Sequence, residues 1–219
     1  MAYEDLLAAT EFFTGVSRDQ LTELEKRGVV RTLVRGDVLF DEGAIPDELF
    51  VVLAGRIAIA SRSIDGRESV FALMEPGDLF GEMGLLDGLP RSAEARALES
   101  SQVLAIPSEP VRTMFEADPA LLWGVVRLLS GRIRAMDEAL ADSVFLDVTG
   151  RTAKRLLELA GEADEFFLPI TQEELAGLVG ASRERVNKAI AAFVRLGWIE
   201  QVDRRYRITD RDQLARRAR

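Results

Sequence analysis
The stretch Phe80 to Ala93, FGEMGLLDGLPRSA, gathers residue types that bind rather than react. Its three glycines let the backbone turn with N–H groups pointing inward, a nest suited to anionic oxygens. Arg91 offers a forked, permanently charged donor for phosphate, and Ser92 adds a hydroxyl. Glu82 is a pure acceptor at neutral pH and fits a sugar hydroxyl. Together they suit a molecule carrying phosphate and ribose. They also suit a plain Gly-rich hairpin loop with an exposed arginine, and from these residues alone both readings stand.

A second constellation lies near the other end. Thr171-Gln172-Glu173-Glu174 reads as a capping box. A helix follows, then a tight turn at Gly180, then Ser182 as the cap of another helix whose buried face is Val186 and Ile190. This is a helix-turn-helix pattern. The first turns of its second helix hold Arg183, Glu184, Arg185 and Lys188. Arg183 can bond guanine O6 and N7, Glu184 can accept from cytosine N4, and Lys188 can reach a second guanine or a phosphate. Arg185 suits a phosphate. An ordinary solvated basic face is the competing reading. Past Gly197, Trp198 to Val202 and Tyr206 to Ile208 predict the two strands of a wing, with Arg204, Arg205 and Arg207 suited to phosphates. The turn Asp203-Arg204-Arg205 lacks the glycine expected at such a tip. The tail from Arg211 to Arg219 is basic and is expected to fray.

The elements that must position these groups change character along the chain. Tyr3 to Phe13 and Ser17 to Arg27 predict short helices, the second with Ser17 and Gln20 as a capping box. From Val29 to Ile106, short apolar runs (Val38 to Phe40, Leu49 to Leu53, Ile57 to Ala60, Val70 to Met74, Val103 to Ile106) alternate with turn-forming breaks. Those breaks include Asp65-Gly66 and Pro76-Gly77-Asp78, and the whole reads as a barrel or sandwich of short strands. Pro107 to Ala117 predicts a short helix. Asp118-Pro119 then opens a long helix reaching about Val144. Its apolar positions Leu122, Val126, Leu129, Ile133, Met136 and Leu140 carry coiled-coil spacing, which favours a two-helix seam over a helix lying on its own domain. Asp147 is placed to cap a further helix through Ala160, and the domain boundary is expected between Val144 and Asp147.

Composition narrows the chemistry. The 219 residues contain no cysteine and no histidine, which removes disulfides, thiolate nucleophiles, Cys-ligated clusters and His-ligated haem, and leaves structural zinc and His-held metals without their usual ligands. No nucleophile–base pair is visible, so an enzyme is not expected. The N-terminus lacks the basic flank and long apolar run of a signal peptide, and no stretch is long and apolar enough for a membrane span; a cytoplasmic protein is expected. The net charge of −9 is unevenly spread: residues 1–145 carry 14 Lys and Arg against 25 Asp and Glu, and residues 146–219 carry 14 against 12. Polyanion contact is therefore expected in the C-terminal third.

The stretch FGEMGLLDGLPRSA resembles the phosphate-binding cassette of the CRP/FNR superfamily of bacterial transcription regulators, G-E-x-(S/G)-L followed by R-(S/T)-A. The opening FFTGVS, the phrase LDVTGR at Leu146 to Arg151, and Arg183, Glu184 and Lys188 against R-E-x-x-x-(R/K) extend the resemblance over nearly the whole chain. It implies an α+β protein: a β-roll with jelly-roll topology over 1–117 that binds a cyclic nucleotide, a dimerisation helix over 118–145, and a winged helix-turn-helix over 146–219. It implies that Glu82 takes a ribose 2′-hydroxyl and that Arg91 and Ser92 hold the cyclic phosphate, with help around Gly81, Met83 and Ala93. Arg132 matches an arginine that supports the cassette glutamate, so an ion pair with Glu82 is expected. The resemblance places Thr171, Ser182, Arg183, Glu184, Arg185, Lys188, Arg204 and Arg205 on the DNA-binding side.

The implied effector is cyclic AMP. Here the sequence departs from the family pattern, because Met136 and Asp137 stand where its cyclic-AMP sensors carry Thr followed by Ser or Asn. The implied partners are a second copy of the chain, double-stranded DNA with palindromic TGTGA-like half-sites, and RNA polymerase, with no membrane and no metal. Another nucleotide effector, ligand-independent DNA binding, and a nucleotide-binding adaptor without DNA binding are the alternatives.

Overall fold
The computed structural model describes residues 3–62, 68–168 and 170–219; the expected Asp65-Gly66 turn lies outside them. The chain forms two compact units, Met1–Arg134 and Ala135–Arg219.

The first unit opens with α1 (Glu4–Ala9), a 3-10 turn (Glu11–Phe13) and α2 (Arg18–Arg27). The single helix expected over Tyr3 to Phe13 is broken at Thr10. That residue is extended, with φ −75° and ψ 137°, and its hydroxyl donates to the Leu7 carbonyl at 2.7 Å. Such side-chain bonding competes with helix continuation. The Ser17–Gln20 capping box forms as expected, and α2 buries Leu21 and Leu24.

Eight strands follow: β1 (Val29–Leu33), β2 (Val38–Phe40), β3 (Glu48–Ala54), β4 (Ile57–Arg62), β5 (Glu68–Met74), β6 (Leu79–Phe80), β7 (Glu94–Ala97) and β8 (Ser101–Pro107). They pair antiparallel in two sheets of four, ordered β1-β8-β3-β6 and β2-β7-β4-β5. Strand β3 shows why two sheets form. Leu49, Phe50, Val51 and Val52 are all buried, and the two-residue period sends alternate side chains to opposite faces. Phe50 and Val52 join Ile57, Phe80 and Val103 in one cluster, while Leu49 and Val51 join Phe12, Ile106 and Phe115 in another. Three strands were not among the expected runs. β1 is mostly exposed, β6 has two residues, and β7 alternates Glu94, Ala95, Arg96 and Ala97, so each is specified by its partner strand more than by its own hydropathy.

A short helix, α3 (Met83–Asp87), sits between β6 and β7. After β8 come α4 (Ser108–Ala117), a 3-10 turn (Pro119–Leu121) capped by Asp118, and α5 (Leu122–Phe145), within which the boundary between the units falls. Among the described residues no helix is long and apolar enough to cross a membrane.

The second unit carries α6 (Val148–Ala160), β9 (Glu165–Phe167), α7 (Gln172–Val179), α8 (Arg183–Arg195), β10 (Ile199–Val202), β11 (Arg205–Ile208) and α9 (Arg211–Arg217). The wing has a third strand that hydropathy did not reveal: its order is β10-β11-β9, and Phe166 of β9 stacks on Tyr206 at 5.6 Å. Asp203 takes the left-handed conformation at the wing tip, φ 55°, which Asp tolerates better than most residues. The tail does not fray. It folds as α9, buries Leu214 completely, and pairs Arg217 with both oxygens of Asp147.

Asp147 thus has two tasks. Its carboxylate caps α6 by accepting from the Gly150 amide at 2.8 Å, and it anchors α9. The Gly150 hydrogen bond, and then Arg217, hold its pKa below the ordinary carboxylate range against the opposing effect of burial. A carboxylate with a lowered folded-state pKa contributes stability above the ordinary value near 3.9, and that contribution is lost as pH falls through the folded-state value. Asp147→Ala is therefore expected to cost about 1 kcal/mol at pH 7. The difference from wild type should shrink as denaturant melts are carried to pH values below the ordinary carboxylate pKa; a pH-independent difference would contradict the assignment.

Candidate functional site
Glu82 sits at the junction of β6 and α3, and none of it reaches solvent. Gly81, at φ 81°, aims it inward. A Cβ on Gly81 would lie 2.9 Å from Arg91 Nη1 and 3.2 Å from the Phe50 ring, so a side chain there would meet both strain and collision. Gly84 is equally constrained: a Cβ would come within 2.2 Å of Pro46. The expected ion pair forms, with Arg132 of α5 donating Nη1 to Glu82 Oε1 and Nη2 to the Leu79 carbonyl at 2.7 Å. Glu82 Oε2 has no partner among the described residues. Burying an unpaired acceptor carries a real cost, so this oxygen fits a hydroxyl donor from a ligand.

Arg91 does not hang in solvent as a hairpin arginine would; it is 6 % exposed. Nη1 donates to the Gly81 carbonyl at 2.6 Å and Nη2 to that of Glu48. Its backbone pairs with the loop after β2, Gly43 donating to the Arg91 carbonyl at 2.8 Å and the Arg91 amide donating to Ala44 at 2.9 Å. Burial lowers the guanidinium pKa from its usual value, and the neighbouring acids Asp47, Glu48 and Glu82 oppose that shift. The site therefore holds a desolvated cation whose Nε lacks a partner among the described residues. Ser92 is exposed and its hydroxyl contacts Met83 Sδ at 3.7 Å, while Ala93 is buried. Glu82, Arg91 and Arg132 thus converge through Gly81. Phe40, Pro46 and Glu48 complete the surround, and neither composition nor spacing marked them. Met136 and Asp137 are exposed on the part of α5 that belongs to the second unit.

The second unit holds the other expected site. Thr171 caps α7, its hydroxyl accepting from the Glu174 amide, and Glu174 accepts in return from the Thr171 amide at 2.6 Å. Ser182 caps α8, and Arg183, Glu184, Arg185 and Lys188 are exposed along its first two turns. Lys188 donates to Glu184 at 2.7 Å, which holds the Glu184 carboxyl below its usual range. Both side chains are about three-quarters exposed, so the pair opens readily. The wing cations differ in their surroundings. Arg204 is half-buried, stacked 4.9 Å over Phe167, and Arg205 lies 3.5 Å from Glu165. Gln172 donates to the buried Tyr206 hydroxyl at 2.7 Å and ties α7 to the wing.

Residues 30–118 match a cyclic nucleotide-binding domain, and residues 150–217 match a Crp-like helix-turn-helix domain. The CRP-like cAMP-activated global transcriptional regulator of Mycobacterium tuberculosis is 37 % identical over 99 % of this chain and 100 % of its own length. The chain belongs to the CRP/FNR family of transcription regulators. The cAMP-activated global transcriptional regulator CRP of Salmonella typhimurium is 31 % identical, covering 69 % of this chain and 76 % of that protein. The structure of FixK2 from Bradyrhizobium japonicum shares the fold at 19 % identity, with a TM-score of 0.78 over 86 % of this chain and 96 % of that one. The CRP/FNR assignment accounts for the order β-sheet domain, long helix, helix-turn-helix, and makes this a DNA-binding regulator of the cyclic-nucleotide-controlled type rather than an enzyme.

The Glu82–Arg132 pair can be tested without any ligand. Arg132→Leu strands a buried carboxylate and is expected to lower unfolding free energy by about 2–4 kcal/mol. Adding Glu82→Gln removes the stranded charge and should restore much of the loss in urea melts. A double variant no more stable than Arg132→Leu would contradict the pairing.

Proposed function
We propose that this protein is a homodimeric, sequence-specific transcription regulator switched by a cyclic nucleotide, with cyclic AMP as effector. One observation carries the reading: a wholly buried carboxylate with one oxygen unpaired among the described residues, beside a buried guanidinium, in a loop with the required glycines. In this reading Glu82 takes the ribose hydroxyl, while Arg91 and Ser92 take the phosphate with backbone N–H groups around Gly81, Met83 and Ala93. The names of the two relatives, both cAMP-activated, support that choice. Residues 1–117 form the sensor, 118–145 the dimer helix and 146–219 the reader of DNA.

Dimerisation is supported by α5, where Leu122, Val126, Ile133, Met136 and Leu140 are exposed at coiled-coil spacing. Two copies would present two α8 helices to a palindrome of TGTGA-like half-sites, with Arg183, Glu184 and Lys188 at base edges. Arg185, Arg204 and Arg205, with Thr171 and Ser182 at the helix starts, would meet the backbone. RNA polymerase is the partner through which such a bound dimer would act, in the cytoplasm. Effector control requires that the nucleotide bind one arrangement of the dimer more tightly than another. A second reading, a different base, rests on Met136 and Asp137. A thioether cannot replace a hydroxyl, whereas a carboxylate accepts from the donors of adenine or guanine alike.

Calorimetric titration with cyclic AMP, cyclic GMP and a cyclic dinucleotide tests the sensor. Wild type should bind cyclic AMP, and Arg91→Ala should bind it about 10- to 100-fold more weakly. No heat from any of the three would end the sensor reading. In gel-shift series on a TGTGA-type palindrome, Arg183→Ala should cost about 1–3 kcal/mol and relax preference at one base pair. Unchanged base preference would remove α8 from the interface.

A further inference from the structure
The phosphate-binding reading assigns Arg91 a task but leaves open what holds its guanidinium in place. The guanidinium carbon lies 4.3 Å from the centroid of the Phe40 ring and 5.5 Å from that of Phe50. Phe40 and Phe50 stack on each other at 5.5 Å with 29° between their planes, and Phe50 stacks on Phe80 at 5.4 Å. Phe40 and Phe80 also lie 6.2 Å apart, so the three rings pack as one cluster, and Arg91 caps it over the face of Phe40. A cation over an aromatic face is attracted by the ring quadrupole, most strongly where water is excluded.

The backbone is shaped to deliver Phe40 there. In the pairing of β2 with β7, Val38 stands opposite Arg96 but Phe40 stands opposite Ala95, so β2 carries one extra residue. Without that bulge Phe40 would fall opposite Glu94, and the two-residue period would turn its side chain to the other face of the sheet. Bulges commonly re-aim a side chain beside a functional site. The chain leaving β2 then pairs with the Arg91 backbone through Gly43 and Ala44. One segment thus frames both ends of the arginine.

We propose that Phe40 is the positioning residue for Arg91, its ring fixing the tilt of the guanidinium plane while the Gly81 and Glu48 carbonyls fix two of its corners. This rests on the reading of the pocket as a cyclic-nucleotide site. The two carbonyls alone leave the plane free to rock about the line joining them. The ring removes that freedom, so the remaining N–H groups face one direction when a phosphate arrives. A phosphate held by such a fork loses less to ordering than one held by a mobile side chain.

The test uses the full chain with Phe40→Leu, which keeps apolar bulk, and Phe40→Tyr, which keeps the ring. Its first arm needs no ligand: the Arg91 Nε–Hε signal in a ¹H–¹⁵N spectrum, identified by its loss in Arg91→Lys. Wild type and Phe40→Tyr should show it displaced by the ring current and slow to exchange with solvent. Phe40→Leu should return it toward the free-arginine position with faster exchange. The second arm is affinity for cyclic AMP, expected to fall about 5- to 30-fold in Phe40→Leu and to recover in Phe40→Tyr. In the Arg91→Lys background the same Phe40→Leu change should have little further effect. An unmoved Arg91 signal in a folded Phe40→Leu protein overturns the proposal. So does an affinity loss that persists in full in the Arg91→Lys background, which would mean that Phe40 touches the nucleotide itself. If wild type binds none of the nucleotides, the sensor reading falls, and the spectroscopic arm alone decides the positioning role.

Discussion

A carboxylate withdrawn from water, with one oxygen on an arginine and the other without a partner among the described residues, is the constraint on which the first unit depends. Arg132, which pairs with Glu82, comes from α5. The cassette and the start of the long helix are therefore coupled by electrostatics before any ligand is considered. Desolvation explains why the coupling is stiff: a lost partner leaves a charge in a medium that cannot screen it.

Around that pair, the loop from Gly81 to Ala93 is built by close approach. Gly81 lies against Arg91 and Phe50, and Gly84 against Pro46, at separations that leave no room for a β-carbon. Arg91 is held by main-chain carbonyls and aromatic faces, none of which carries a full charge that a phosphate would have to displace. Its desolvation is thus only partly compensated, which favours an anionic partner over water.

The second unit uses charge differently. In the wing Arg205 and Arg207 face Glu165 while remaining exposed and Arg204 lies on Phe167, and in α9 Arg217 holds Asp147. The first two turns of α8 stand apart, exposed and tied only by a solvated Glu184–Lys188 pair. Solvated pairs of this kind open at little cost, on α8 and on β11 alike, whereas Arg204 is held half-buried against an aromatic face.

Much of this was legible from residue order, because local rules act over a few residues. The capping boxes at Ser17 and Thr171, the caps at Asp147 and Ser182, the turn at Gly180 and the extent of α5 all follow from side-chain-to-backbone bonding and helical periodicity. The motif spacing singled out Glu82 and Arg91, both of which the fold buries, and the charge asymmetry pointed to the third that holds the helix-turn-helix. What stayed hidden has contacts distant in sequence. β7 is a strand because β2 and β4 flank it, β9 because β11 accepts it, and α9 is ordered because Asp147, some 70 residues earlier, receives Arg217.

The sequence by itself determined which chemistry is present, since residue type sets charge, hydrogen-bonding capacity and backbone freedom. Only the tertiary structure decided how that chemistry is aimed. The burial of Glu82, the cluster of rings under Arg91 and the one-residue slip that turns Phe40 inward arise from strands that meet across dozens of intervening residues. The physical reason is that desolvation and close packing belong to neighbours in space, and no local pattern encodes them.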